Sequence, residues 1–180
     1  MIFANIQNLV ISPKKYFEEN LQSREFSINQ FLVTALFLVL AITIVSSIER
    51  EILEKYSDIL ASLIYFSGFF VGLMIKILFR AYFLRLMLSK LEVNIDYSKI
   101  AMIITVAMFT YLLMYLIPIL INTNVYNMQI FVVMKIWNLF LITVGIKVIS
   151  KLSYFRSFIL VLLMIGFEYI LTMPFYGIVL

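Results

Sequence analysis

Between Ile28 and Ile48 the chain carries no charged side chain (INQFLVTALFLVLAITIVSSI), and comparable runs recur four more times. A helix of about 20 apolar residues crosses roughly 30 Å of hydrocarbon. Five such runs cannot all be hidden inside a water-soluble fold of 180 residues, 64% of them hydrophobic and 13% charged. A soluble domain is nearer half apolar and a quarter charged, so this chain lacks the polar side chains to cover its own surface. With no water in the bilayer, backbone groups must pair within each segment, which makes helices the default. A barrel would need alternating strands of about ten residues, and these runs are continuously apolar. The expected fold is therefore an all-α polytopic membrane helix bundle. Its five transmembrane helices fall at about 28–48, 59–79, 100–121, 129–149 and 157–178. Residues 1–27 form a short cytoplasmic, interfacial helical segment ahead of the 28–180 bundle.

The basic residues orient the bundle. Lys14, Lys15 and Arg24 precede the first span. Lys76, Arg80, Arg85, Lys90 and Lys99 sit between the second and third, and Lys147, Lys151 and Arg156 between the fourth and fifth. These regions alternate to one side and hold all of the 14 basic residues except Arg50, Lys55 and Lys135. The expectation is a cell-membrane protein with a cytoplasmic N-terminus and an outward C-terminus. The first apolar run starts too late and is too long for a cleavable signal peptide.

In the first segment Ile2, Phe3, Ile6, Leu9 and Val10 recur at helical spacing, and Phe17 and Leu21 are one turn apart. Ser12 followed by Pro13 reads as an N-cap and first-turn pair. With Lys14 and Lys15 beside Tyr16 and Phe17, the segment is expected to lie on the cytoplasmic leaflet. Binding a soluble partner is the alternative.

The chain has no Cys and no His. Disulfides, thiolate metal sites, cysteine nucleophiles and His-based acid–base or haem chemistry are thereby excluded. No phosphate-cradling glycine loop, metal-ligand spacing or carboxylate pair occurs, so neither a catalytic site nor a cofactor nor a metal is expected. No basic stretch with interleaved exposed aromatics stands apart from the spans, so no nucleic acid is expected.

Glu168 is the residue that most invites a function. It falls near the centre of the fifth run, where an acidic side chain costs on the order of 2.5–3.5 kcal/mol and must face the bundle. The expected partner is Lys135 in the antiparallel fourth span. Asn138, one turn below Lys135, would complete a polar cluster with Thr143 and Thr172, which Tyr65 and Tyr169 could join. An ion pathway and a structural ion pair both fit that cluster. Gly68 and Gly72, one turn apart, make a helix-packing face within the monomer or between two copies. Lys76, Arg80 and Arg85 are expected to snorkel from the end of the second span to lipid headgroups. Pro118 and Pro174 are expected to kink or end their helices.

Several stretches resemble the Yip family of five-span membrane proteins, named for eukaryotic members that interact with Ypt/Rab GTPases. Ile11-Ser12-Pro13-Lys14-Lys15-Tyr16-Phe17 is similar to the family's proline followed by basic residues and Phe. Ile136-Trp137-Asn138-Leu139, Gly145-Ile146-Lys147 and Phe155-Arg156-Ser157-Phe158 resemble its fourth span and exit. The eukaryotic Asp-Leu-Tyr-Gly-Pro-like segment is missing and the leading region is short. The resemblance thus implies the shorter prokaryotic branch, and Rab binding is not carried over.

Two function classes follow. One is a non-enzymatic membrane organiser acting through helix packing and contacts with lipid, a second copy or another membrane protein. The alternative is a small transporter or ion-conducting protein using Glu168 and Lys135.

Overall fold

A computed structural model of the chain describes residues 6–22, 28–49, 59–121 and 128–176. The described residues are helical almost throughout. The elements are α1 (Ile6–Ile11), α2 (Pro13–Phe17) with a π-helical turn (Glu18–Gln22), α3 (Ile28–Glu49), α4 (Ile59–Lys90), α5 (Tyr97–Ala107), α6 (Phe109–Ile121), α7 (Met128–Ser150) and α8 (Tyr154–Tyr176).

Four stretches among the described residues are long and apolar enough to cross a membrane: Asn29–Ser46, Tyr97–Ile117, Gln129–Ser150 and Tyr154–Leu171. Of the five expected spans, the second is the one outside this set. It is also the one whose length differs most from expectation. α4 does not stop near Phe79 but runs 32 residues to Lys90. It ends in a Schellman motif: Val93 N–H donates to Leu88 O at 3.0 Å and Glu92 N–H to Ser89 O at 3.1 Å. Glu92 takes φ 60°, a conformation that favours glycine.

α5 is the centre of the bundle. Every residue from Ile100 to Ala107 is buried, and the helix packs on α3, α4 and α7. Around it, α3 packs on α4 and α6, α7 on α6 and α8, and α8 on α4. At Gly145 α7 approaches α5 so closely that an added Cβ would lie 2.6 Å from Ile103 Cγ2. A larger residue would hold those helices apart. Gly68 and Gly72 behave differently: nothing among the described residues comes within 4 Å of an added Cβ at either. The expected packing face is open among the described residues.

The third apolar run is two helices rather than one. The break falls at Met108, although the nearest proline is Pro118, and α6 continues past 118 to Ile121. Tyr111 N–H turns to Met108 O at 2.9 Å, which frees the carbonyl of Ala107. Asn138 reaches from α7 and donates Nδ2 to that oxygen at 2.7 Å. Thr110 Oγ1 donates to it as well, at 2.8 Å. A side chain from a neighbouring helix thus satisfies a carbonyl that lipid could not.

The N-terminal segment packs on the bundle. α2 and the following turn dock on α7, with Leu9, Tyr16, Phe17 and Leu21 at most 2% exposed. Tyr16 and Phe17 meet edge to face at 5.6 Å. Burial pushes the Tyr16 hydroxyl from 10.0 up to about 12. Val10 and Ile11 remain exposed. Lys14 and Lys15 face water, each within 4 Å of a glutamate one turn on: Glu18 at 3.6 Å and Glu19 at 3.8 Å. Ser12 stands at the N-cap of α2 with Pro13 in the first turn, and its side chain makes no cap hydrogen bond.

Candidate functional site: a buried charge cluster

Because α4 continues past Phe79, Lys76 and Arg80 lie within the helix, one turn apart and on one face. α8 packs against that face and brings Glu168 to it. Lys76 Nζ lies 2.9 Å from Glu168 Oε1. Arg80 Nε donates to Glu168 Oε2 at 2.7 Å. Each carboxylate oxygen therefore has its own cation. The side chains are 27% exposed for Lys76, 5% for Arg80 and 16% for Glu168, so the three charges are largely withdrawn from the surroundings. At such burial, charges persist only when paired.

Aromatic rings flank the cluster. Phe167 stacks on Phe83 at 4.9 Å and on Phe79 at 6.1 Å, joining α4 to α8 beside the ion pairs. Lys76 Nζ lies 5.7 Å from the centroid of the Tyr111 ring, a cation–π contact that adds α6 to the site.

Several expectations are thereby corrected. Glu168 meets Lys76 and Arg80 rather than Lys135, whose ammonium instead lies 4.7 Å from the centroid of the Phe131 ring one turn away. Among the described residues the two oxygens of Glu168 are taken by Lys76 and Arg80. Arg80 does not extend along the helix to the surface: it is 4% exposed and turns Nε to Glu168. Arg85, nearer the Lys90 end of α4, is exposed. Asn138 serves the break at Met108, and Thr143 bonds back to Leu139 O at 2.9 Å within its own helix. Tyr169 points outward at 62% exposure. The side chains of Tyr65, Thr172 and Pro174 lie outside the described residues.

The residues missed from sequence were Arg80 as a partner and Tyr111 as a wall. A signal for the first was present. No glycine or proline occurs between Gly72 and Pro118, so nothing in residue type ends the second helix at its first lysine.

A protein-family model, the Yip1 domain, matches residues 8–173. No curated protein and no solved structure matches the chain.

Proposed function

From the premise that the chain belongs to the Yip1 domain family, we propose that it is a non-enzymatic membrane organiser with five spans. It acts through helix packing and contacts with lipid or other membrane proteins. The observation that carries this reading is the occupied carboxylate. Glu168 is bound on both oxygens by cations of the bundle, at 2.7 and 2.9 Å, which is how a membrane helix pair is fastened. The outward apolar side chains agree with it: Val33, Phe37, Ile75, Ile136 and Ile170 are each at least 60% exposed and suit acyl chains or another helix. In this reading α4 is the second of the five spans, the N-terminus is cytoplasmic and the C-terminus is outside, following the distribution of Lys and Arg.

The second reading is a transporter or ion conductor, favoured by the same charges at membrane depth. Reconstitution in liposomes separates them. For the organiser, wild type and Glu168→Gln both give no proton or cation flux above empty vesicles, and the variant is less stable. Flux in the wild type that Glu168→Gln abolishes would overturn it.

A further inference from the structure

Lys76 and Arg80 share one carboxylate, Glu168, and Lys135 adds a third cation on α7, one turn from the Asn138 whose amide reaches Thr110 beside Tyr111. Two positive charges are left over among the described residues, in a region where uncompensated charge is expensive. Arg80 also has a donor to spare. Its Nη1 is buried and has no hydrogen-bond partner among the described residues, whereas a buried guanidinium ordinarily uses its full fork of donors.

The depth and surroundings of this surplus suggest what balances it. Lys135, Glu168 and Tyr111 lie roughly 10–15 Å along their helices from residues 128, 176 and 121, at one end of α7, α8 and α6, whereas Lys76 and Arg80 lie about 26 and 32 Å along α4 from Ile59. Lys135 is exposed on α7. Further from that end the outward face is apolar: Ile136 is 62% and Phe140 41% exposed on α7, and Leu163 51% on α8. Surplus positive charge beside an outward apolar face matches an amphiphile with an anionic head and hydrocarbon tails.

We propose that Lys76, Arg80 and Lys135 form a site for a phosphate oxyanion, carried by an anionic phospholipid whose tails lie along Ile136, Phe140 and Leu163. Arg80 holds Glu168 through Nε and offers Nη1 to the phosphate. Lys76, the more exposed of the two α4 cations, is the side from which the headgroup enters. Lys135 closes the site from α7. This deepens the organiser reading and rests on it, since it names the lipid class that the bundle contacts.

The test uses the full chain in phosphatidylcholine nanodiscs, with a minor fraction of phosphatidylglycerol or with inorganic phosphate added instead. Lipid retained by the protein is read by native mass spectrometry, and anion stabilisation by the thermal midpoint. Wild type retains phosphatidylglycerol. Lys135→Gln, on an exposed face, and Arg80→Lys, which keeps the charge facing Glu168 but lacks the fork, each lower retention about tenfold, the worth of one charge-assisted hydrogen bond. Lys135→Arg restores it. Stabilisation by inorganic phosphate alone, with the same dependence on variants, upholds the oxyanion site and assigns its source to free phosphate. Equal retention in all variants, or no response to either probe, overturns the site. If wild type responds to neither probe and liposomes show no flux, the site fails while the organiser reading stands.

Discussion

Arg80 and Glu168 are 88 positions apart in the chain, yet the arginine Nε and the carboxylate Oε2 are 2.7 Å from one another. The bond ties the middle of α4 to α8, and Lys76 secures the other oxygen. Truncating one member of such a buried pair leaves the rest unpaired, at a cost of about 3–5 kcal/mol. Glu168→Gln should therefore lower stability in detergent by that order. Arg80→Gln combined with Glu168→Gln should fall short of the summed single effects by about 1–3 kcal/mol. Strict additivity in a double-mutant cycle would remove the pair from the account.

Asn138→Leu tests the broken span. Without the Nδ2 donor, Ala107 O keeps only the Thr110 hydroxyl, and a loss of about 1–2 kcal/mol is expected from a weakened buried acceptor. Hydrogen exchange should rise around Met108 to Tyr111 first. A variant as stable as wild type, with unchanged exchange there, would show that the break is set by α5 and α6 alone.

Gly145→Ala should push Ile103 away from a contact already at its limit, for a loss of about 1–3 kcal/mol. The clash involves the branched methyl of a fully buried isoleucine, which cannot swing clear as the tip of a long chain could. Ile103→Ala should offset part of that loss, although it leaves a cavity when made alone. Unequal penalties in the two backgrounds, read as a shift in thermal midpoint, are the expected result.

Alkaline pH should loosen the N-terminal segment. The Tyr16 hydroxyl is held neutral by burial, with its pKa raised from 10.0 to about 12. A raised value contributes stability that is fully present below pH 10 and lost as pH climbs towards 12. Proteolysis near α2 should accelerate through that window, and Tyr16→Phe should remove the part due to this group. Identical pH profiles for the two proteins would assign the loosening elsewhere.

Much of the architecture was legible because hydrocarbon imposes one rule on every span. The runs at Ile28, Gln129 and Ser157 were found within three residues of where α3, α7 and α8 begin, since charge and turn residues flank them. Less visible was whatever depended on contacts between helices. Basic residues in the second run suggested a membrane edge at Lys76. Only the arrival of Glu168 from α8 makes it favourable to keep two cations within the bundle. Likewise Asn138 carried the marks of a polar cluster residue, and the carbonyl it serves is freed by a break that no proline announces. Glycine spacing alone did not mark the tight contact: Gly68 and Gly72 match a packing motif yet stand open among the described residues, while the close approach belongs to the solitary Gly145.

The all-round burial of α5 has a consequence for how this bundle responds to its surroundings. Ile100 to Ala107 touch protein on every side, so other helices stand where acyl chains would be. Bilayer thickness acts directly on elements with outward apolar faces, such as α3, α7 and α8. It reaches α5 at second hand, through its packing on α3, α4 and α7, Gly145 and the hydrogen bond to Ala107 among those contacts. A thinner or thicker membrane should tilt the outer helices around an axle that does not itself register the change.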